Sequence, residues 1–290
     1  MHHGGNDHGR RDQGWIWLLA GTAEGVAIAA ALIRSGWTVE VSVVTASAAR
    51  AYADLAVAAL HQGPLDGDAS IEQVLARRPS WVVDATHPFA LQISAALHRV
   101  CGREGQRLLR FERRTDVLSR TGSASADVPA SVRWLERPSA LADQCLGGHH
   151  LFVALGSRHL AETARAGAAA GATLFARVMP SCDGVRQALA VGLAADHLAV
   201  VHPRADLAPG AIEAALCRRW RITDVICRES GGLIEGLWRN LAAERGIQLW
   251  FLRRPEAPVG VEVVRDLEDL ISRVNDDGLQ GADAGCDDGG

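Results

Sequence analysis

Lysine is absent from the sequence. All 30 basic side chains among the 290 residues are therefore arginine, and tyrosine occurs only once, as Tyr52. The missing amine excludes chemistry that depends on one: a P-loop lysine, a pyridoxal Schiff base, a kinase strand lysine, or the Tyr-x-x-x-Lys pair of short-chain dehydrogenases. Any phosphate or carboxylate must then be bound by arginine, histidine, hydroxyl groups or backbone N–H groups.

Paired cysteines and long apolar runs are also missing. The six cysteines show no C-x-x-C spacing, which argues against a zinc knuckle or a disulfide scaffold, and we expect no metal site. Reduced thiols of this kind indicate a cytoplasmic protein. No apolar run approaches ~18 residues, so no membrane span is expected. The net charge of -4 argues against a nucleic-acid partner, which would need a basic surface.

The length suggests about two domains of ~150 residues each. Residues 1–14 and 275–290 lack apolar periodicity, and we expect a disordered leader and a disordered tail there. Between them the periodicity pauses once, in a stretch rich in Ser, Ala and Asp. We therefore predict a cofactor-binding first domain over 15–115, a linker over 116–129 and a substrate-binding second domain over 130–274.

Short apolar runs alternate with helical patterns along the rest of the chain. The predicted strands are 15–20, 38–44, 81–84, 107–111, 150–155, 173–178, 198–201, 224–227 and 248–252. The predicted helices are 24–34, 46–59, 71–77, 88–103, 140–146, 158–169, 184–191, 209–219, 233–245 and 261–274. Because the strands are continuous apolar runs, they indicate parallel sheets covered on both faces. The predicted fold class is α/β, with two Rossmann-like domains and an active-site cleft between them.

The first strand leads into a glycine turn, Gly21-Thr22-Ala23-Glu24-Gly25, which precedes a helix. The N-terminus of such a helix offers backbone N–H groups and a positive dipole end to a phosphate. Gly21 allows a ligand to approach closely, Gly25 allows the helix to pack on the strand, and Thr22 can donate to a phosphate oxygen. Glu24 would repel a phosphate unless it binds a ribose hydroxyl. The alternative is an ordinary turn in which Thr22 caps the helix and Glu24 favours the helix dipole.

The end of the second strand bears on the choice of cofactor. NAD proteins and many methyltransferases place an acid there to bind ribose hydroxyls, but this chain has none at that end. It has Thr45 and Ser47, with Arg50 close behind. These residues suit a 2′-phosphate, so we predict NADPH as the cofactor, with NADH as the alternative. Ser47 can also simply cap the next helix.

The strand at 81–84 runs into the segment D-A-T-H-P-F-A at 84–90. Pro88 fits the first position of a helix, so Thr86 and His87 fall at the carboxyl end of a parallel strand, where α/β sheets bind ligands. We expect Thr86, His87 and Pro88 at the cofactor, with His87 as a proton donor or an orienting group. The alternative is that His87 is only a structural cap.

The segment at 84–90 resembles the D-A-T-H-P-F-A motif of precorrin-6A reductases, and residues 91–94 continue the match. The similarity extends in order over most of the chain, from about Trp17 to Pro255. The other matching segments are 20–25, 109–113, 154–160, 176–180, 228–232 and 252–255.

This resemblance implies an NAD(P)H-dependent oxidoreductase of cobalamin biosynthesis. It would reduce a double bond of precorrin-6A, or of its cobalt counterpart, to give precorrin-6B, with NADPH as the hydride source. The expected partner is the small-molecule tetrapyrrole, and the oligomeric state stays open between monomer and homodimer. The family's Gly-Arg-Thr stretch after the second strand is replaced here, so Arg50 is the expected substitute contact for the 2′-phosphate.

The implied tetrapyrrole carries several carboxylates, which arginine binds in two-pronged fashion. The candidate substrate-binding residues lie at predicted strand ends and turns: Arg110, Arg113, Arg158, Arg177, Arg228, Ser230, Gly231 and Gly232. The alternatives are that the arginines form ordinary ion pairs with Asp and Glu, and that Ser230 merely caps a helix.

Two other functions stay open at this point. One is an S-adenosylmethionine-dependent tetrapyrrole methyltransferase, which the missing acid after the second strand disfavours. The other is a non-catalytic tetrapyrrole-binding protein, which the departures from the family's motifs in the second half favour.

Overall fold

The chain folds into two units, each built on one six-stranded sheet. A computed structural model describes residues 14–114, 131–201 and 209–280. Unit 1 contains the described residues up to Arg113 together with those from Pro255 onward, and unit 2 lies between Arg114 and Arg254. Unit 2 is therefore inserted into the chain of unit 1.

Unit 1 is a doubly wound parallel sheet. Its strands are β1 (Trp15–Ala20), β2 (Thr38–Val43), β3 (Ala59–Gln62), β4 (Trp81–Ala85), β5 (Leu108–Phe111) and β12 (Glu262–Val264). Its helices are α1 (Glu24–Arg34), α2 (Ala46–Arg50), α3 (Gly67–Leu75), α4 (Leu91–Arg103) and α9 (Leu267–Gln280). The strands are all parallel, in the order β12-β5-β4-β1-β2-β3.

Helices cover both faces of this sheet. Ile28 of α1 and Leu270 of α9 belong to the core on one face. Ile71 of α3, Leu97 of α4 and the fully buried Trp17 of β1 belong to the core on the other face. Because successive strand residues point to opposite faces, the central strands β1 and β4 are buried at nearly every position, which explains their continuous apolar runs.

Unit 2 repeats the same architecture. Its strands are β6 (Val132–Leu135), β7 (His150–Val153), β8 (Thr173–Val178), β9 (Leu198–Val200), β10 (Asp224–Arg228) and β11 (Gln248–Leu252). Its helices are α5 (Ser157–Ala169), α6 (Cys182–Ala190), α7 (Ala211–Trp220) and α8 (Gly232–Arg245). The parallel strands lie in the order β6-β11-β10-β7-β8-β9. The predicted α/β class with two parallel sheets is confirmed.

The division between the units differs from the prediction at the C-terminal end. The second domain was expected to run to residue 274, but β12 pairs with β5 and Leu270 packs in the core of unit 1. The disordered tail was expected from residue 275, but α9 continues to Gln280. There Trp37 Nε1 donates to Asn275 Oδ1 at 2.9 Å, which ties this helix to unit 1. Most of the predicted leader, the predicted linker and the last ten residues lie outside the described residues.

Three predicted helices also differ from the structure. The helix expected over 46–59 ends at Arg50, because the chain then turns back to form β3 beside β2. The helix expected over 261–274 is replaced by β12 and the first part of α9. The segment expected as a helix over 140–146 is a short 3-10 helix at Pro138–Asp143. In the described part of the chain, no helix is long and apolar enough to cross a membrane.

One buried carboxylate of unit 1 makes the stability depend on pH. Glu40 of β2 is 7% exposed, and Arg77 donates to both of its oxygens while His61 Nε2 lies 3.2 Å from Oε2. The hydrogen bonds from Arg77 lower the pKa of Glu40 below its ordinary value of 4.5. A carboxyl group with a lowered pKa in the folded state stabilises the protein above its ordinary pKa. That contribution is lost as the pH falls through the lowered value.

We therefore expect Glu40→Gln to destabilise unit 1 more at about pH 5 than at about pH 3, because below the ordinary pKa of 4.5 the unfolded chain takes up the proton and the contribution of the folded carboxylate shrinks. Urea unfolding of both proteins at the two pH values measures this. The matched control is Asp183→Asn, which removes a carboxylate from an exposed pair with Arg186 and should change little at either pH. An equal loss for Glu40→Gln at both pH values would contradict the assignment.

Candidate active site

The turns after β1 and β4 lie at the point where the chain of unit 1 reverses its winding. These two strands are neighbours in the sheet, but the chain leaves β1 toward β2 and β3 and leaves β4 toward β5. The two following connections therefore diverge and open a crevice at the carboxyl ends of the strands. Ligands of doubly wound α/β proteins bind at such a switch point.

The structure brings the two sequence motifs together at this crevice. A Cβ atom built on Gly21 would lie 3.9 Å from the backbone nitrogen of His87. Thr22 Oγ1 donates to the carbonyl oxygen of Ala85 at 3.5 Å. The glycine turn and the histidine segment, more than 60 residues apart in the chain, are therefore parts of one site.

The N-terminus of α1 is not capped by a side chain among the described residues. Its cap position is Ala23, and the backbone N–H of Gly25 donates to the carbonyl oxygen of Thr22 at 3.2 Å. The alternative in which Thr22 caps the helix is wrong, because its hydroxyl points to β4 instead. The first turn of α1 thus keeps the dipole end and N–H groups that bind phosphate in other proteins of this fold.

Tyr52 fills the space beside Gly25, a contact that the sequence did not reveal. A Cβ atom on Gly25 would lie 2.4 Å from Tyr52 Oη and 2.7 Å from Ala20 Cβ. Tyr52 is 3% exposed, and its hydroxyl has no hydrogen-bond partner among the described residues. Burial raises the pKa of Tyr52 to about 12, so the hydroxyl stays protonated at neutral pH. Glycine is required at position 25 because no larger residue fits between β1 and Tyr52.

Glu24 and Arg113 form an ion pair across the carboxyl end of β4. Arg113 follows β5, which is separated from β1 by β4, and its Nη1 lies 3.1 Å from Glu24 Oε1. The other oxygen, Glu24 Oε2, is buried and has no hydrogen-bond partner among the described residues. Arg113 was predicted to bind substrate; the structure places it beside the glycine turn. The unused oxygen of Glu24 can accept a hydrogen bond from a hydroxyl group of a ligand.

The end of β2 presents three polar side chains to solvent. Thr45 is the N-cap of α2, and its Oγ1 accepts from the backbone N–H of Ala48 at 3.1 Å. The alternative in which Ser47 is the cap is therefore wrong. Ser47 and Arg50, within α2, are both exposed. This end of the sheet keeps a hydroxyl and a guanidinium at its surface.

Four hydrogen bonds hold the segment that carries His87. Asp84 Oδ1 accepts from both the backbone N–H and the hydroxyl of Thr86, at 3.0 and 2.6 Å. The backbone N–H of Phe89 donates to His87 Nδ1 at 3.2 Å, and that of Ala90 donates to the His87 carbonyl oxygen at 2.7 Å. The imidazole is therefore a fixed group at the crevice, as pre-organised sites require.

Arg110 lies beneath this segment and is 2% exposed. Its Nη1 donates to Asp84 and to Ser94 Oγ at 2.7 Å, and its Nε donates to Glu112 Oε1 at 3.2 Å. The prediction that Arg110 binds substrate is corrected by this placement, because its guanidinium is enclosed by protein groups. Its position suits a different task, which is to hold Asp84 and through it the loop of Thr86.

Unit 2 has its own switch point, between β7 and β10. Both following turns place a glycine at the helix cap with positive φ: Gly156 before α5 has φ 76° and Gly231 before α8 has φ 67°. A Cβ atom on Gly156 would lie 3.6 Å from Arg228 Nη2. Burial and the nearby charge of Arg158 both lower the pKa of Arg228. Two predicted arginines thus gather with two helix N-termini, an arrangement that favours anions.

Two of the other predicted residues of unit 2, Arg177 and Gly231, have partners within the protein. Arg177 is mostly buried and forms an ion pair with Glu213. The backbone N–H of Gly231 donates to Glu235 Oε2 at 2.8 Å, so it is already engaged. Ser230 does not cap α8, because the cap position is Gly231. Gly232 is exposed at the first position of α8.

In the described ranges no group of three or more His, Cys, Asp or Glu side chains could hold a metal ion.

Fold and site together define a doubly wound α/β protein of the class that binds dinucleotides at the switch point of a parallel sheet. The comparison with protein families is more specific. The family described as precorrin-6x reductase CbiJ/CobK matches residues 15–275, and this chain belongs to that family.

Individual relatives agree with this assignment. A cobalt-precorrin-6A reductase of Synechocystis sp. is 28% identical over 264 residues, which cover 90% of this chain and 94% of that protein. A precorrin-6A reductase of Mycobacterium tuberculosis is 30% identical over 259 residues, which cover 86% of this chain and 92% of the relative. A solved structure of CobK precorrin-6A reductase superposes with a TM-score of 0.69 at 24% identity, covering 91% of this chain and 97% of that one.

Family membership settles the broad chemistry. The chain is an oxidoreductase of corrin biosynthesis, and a reductase of this family implies a nicotinamide cofactor. The methyltransferase alternative loses its support, because the relatives that match over most of the chain are reductases.

Proposed function

We propose that this protein reduces a carbon–carbon double bond of precorrin-6A, or of its cobalt-bearing counterpart, to give precorrin-6B. The observation that carries the proposal is the contact between the glycine turn and the His87 segment at one switch point. This contact places the glycine turn, which suits a diphosphate, beside the His87 segment, which suits the reacting ring. NADPH, when bound, supplies the hydride.

The residues of unit 1 fit a dinucleotide in three respects. Among the described residues, the N-terminus of α1 has no side-chain cap and the buried Glu24 Oε2 has no hydrogen-bond donor. The absence of a Cβ at Gly21 leaves room beside His87. Backbone groups from Gly21 to Gly25, with Thr22, would hold the diphosphate. Glu24 would accept from a ribose hydroxyl.

The polar groups at the end of β2 would select the cofactor. Ser47 and Arg50 are exposed there, next to Thr45. A guanidinium at this place suits a 2′-phosphate, whereas the ribose of NADH would call for a carboxylate. We therefore propose that NADPH is preferred over NADH.

The crevice residues have defined tasks in the reduction. Reduction of a double bond adds a hydride to one carbon and a proton to its neighbour. His87 is held at the crevice next to the buried Pro88 and beside Thr86, where it orients the reacting groups by hydrogen bonding. Arg110 positions this loop through Asp84.

Unit 2 supplies the most suitable place for a carboxylate of the tetrapyrrole. Arg158 is exposed and Arg228 lies against Gly156, at the carboxyl ends of β7 and β10. Gly232, at the start of α8, adds a helix N-terminus. Charge-assisted hydrogen bonds from these groups would bind a substrate carboxylate.

Titration with NADPH tests the cofactor part of the proposal, with nicotinamide fluorescence as the readout. We expect saturable binding, and we expect Arg50→Glu to weaken NADPH binding about 10- to 100-fold, because it replaces an ionic hydrogen bond with repulsion. The same variant should change NADH binding little, since NADH has no 2′-phosphate.

The control for net charge is Arg186→Glu, an exposed site on α6 of unit 2. It makes the same charge change outside unit 1 and should leave both affinities unchanged. Equal effects of Arg50→Glu on NADPH and NADH would reject Arg50 as the phosphate contact. No binding of either dinucleotide to the wild-type protein would reject the proposed function.

A further inference from the structure

Two apolar side chains in the first turn of α8 are open to solvent. Leu233 is 87% exposed, and Ile234 is half exposed. The helix is oriented by its other face, because Glu235 and Trp238 are buried and Glu235 Oε2 accepts from the backbone N–H of Gly231 at 2.8 Å. With these positions facing inward, Leu233 and Ile234 face outward. The first turn of a helix usually carries polar or acidic residues, so an exposed apolar pair there needs a separate explanation.

The exposed apolar side chains of unit 2 are not scattered over its surface. Of the five large ones in its described part, four lie at the carboxyl ends of the strands: Met179 after β8, Val200 at the end of β9, and Leu233 and Ile234 after β10. The fifth, Leu189, lies near the C-terminal end of α6. Single exposed apolar residues are normal on a protein surface, whereas a set gathered at one edge indicates a binding surface.

Positive charge borders this apolar edge. Arg158, in the first turn of α5, is exposed. Arg228, at the end of β10, has its Nη2 3.6 Å from the place that a Cβ atom on Gly156 would take. Burial and the charges of Arg228 and Arg158 lower the pKa of His159, and burial and the charge of Arg158 lower the pKa of Arg228. Because these positive groups disfavour one another's charge, an anion bound beside them is favoured.

We propose that Leu233 and Ile234 form the surface against which the carbon framework of the tetrapyrrole packs, while the neighbouring arginines bind its carboxylates. This inference rests on the proposed function and names the residues that recognise its substrate. A tetrapyrrole has an apolar ring system with carboxylates at its periphery, and an apolar surface bordered by guanidinium groups complements both parts. Since α5 and α8 begin after the neighbouring strands β7 and β10, one molecule can make both kinds of contact.

Binding of precorrin-6A in the absence of NADPH tests this proposal, with quenching of tryptophan fluorescence as the readout. We expect Leu233→Ser to weaken binding about tenfold, as the loss of a partly buried leucine contact does. Leu233→Ser combined with Ile234→Ser should weaken it about 100-fold, whereas Leu233→Met keeps an apolar side chain and should stay within about threefold of the wild type. All these variants should fold, because exposed positions tolerate substitution.

The matched control is Leu189→Ser, which removes an exposed leucine away from the carboxyl ends of the strands and should leave binding unchanged. Equal binding of precorrin-6A by the wild type and by Leu233→Ser would overturn the proposal. A changed sedimentation coefficient of Leu233→Ser with unchanged binding would also overturn it, because the pair would then belong to a contact between two copies of the chain. A wild-type protein that does not bind precorrin-6A would reject the proposed function, and the inference with it.

Turnover separates a binding contact from a contact that acts only on the chemical step. We expect Leu233→Ser to raise the KM for precorrin-6A about tenfold and to change kcat much less, as when an interaction present in both the ground state and the transition state is removed. The affinity for NADPH should stay that of the wild type, because the glycine turn belongs to unit 1. A lowered kcat at unchanged KM would contradict the proposed packing.

Discussion

Replacing Arg110 by methionine is expected to lower the free energy of unfolding of unit 1 by ~3–5 kcal/mol, the usual loss when one partner of a buried ion pair is removed. The side chain of Arg110 is only 3% exposed, and its guanidinium lies between Asp84 and Glu112. Without it, the two buried carboxylates lose the cation that bridges them. Urea unfolding followed by circular dichroism measures the change.

The matched control for this substitution is Arg186→Met, which removes an arginine from an exposed pair with Asp183 and should cost less than ~1 kcal/mol. Arg110→Lys keeps the charge but loses the planar fork, so we expect an intermediate loss. Asp84→Asn combined with Arg110→Met should recover part of the stability, because the uncompensated charge is then smaller. A loss for Arg110→Met no larger than for Arg186→Met would show that the cluster is not structurally important.

Gly25→Ala is expected to destabilise unit 1 by about 1–3 kcal/mol, as overpacking of a full core does. The added Cβ would meet Tyr52 Oη at 2.4 Å and Ala20 Cβ at 2.7 Å, so α1 has to move away from β1. That movement displaces the helix N-terminus at the proposed diphosphate position. We therefore also expect NADPH binding to weaken about tenfold or more, because small misplacements of a binding group are costly.

Gly102→Ala in α4 is the matched control, because a Cβ there meets nothing within 4 Å. It should be neutral, or should stabilise the protein by up to ~1 kcal/mol, as alanine does in a helix. The double variant Gly25→Ala, Tyr52→Phe removes one of the two close contacts and should recover part of both losses. Unchanged stability and NADPH affinity in Gly25→Ala would contradict the packing described for the turn.

The sequence alone predicted the central strands of both sheets and the helices beside them. Residues of β1, β4 and β10 are apolar on both faces, since helices cover both sides of each sheet. A continuous apolar run of this kind is visible in the sequence without knowledge of distant contacts. The same holds for α1, whose buried positions recur with helical spacing.

The strands that the sequence did not reveal are β3, β6 and β12, and all three lie at sheet edges. They are three or four residues long and partly exposed, so no apolar run marks them. The alanine-rich stretch at 46–59 favours a helix, because alanine has the highest helix propensity. Pairing of β3 with β2 ends that helix at Arg50, a tertiary contact that local propensity does not contain.

The sequence predicted which segments form the candidate site, but not which charged side chains pair with each other there. The glycine turn and His87 stand out because each follows a buried strand. The sequence did not reveal the ion-pair partners of Arg110, Arg113 and Arg177. The residues next to an arginine in the sequence do not show which carboxylate it contacts in the folded protein. Arg113 and Glu24 are brought together only by the strand order of the folded sheet.

A crystal structure of this protein with bound NADPH tests the central claim most directly. We predict that the diphosphate lies at the N-terminus of α1, against the backbone from Gly21 to Gly25. We predict that the nicotinamide ring lies beside His87. A dinucleotide bound at the glycine caps of unit 2, or with its nicotinamide out of reach of His87, would contradict the proposed site.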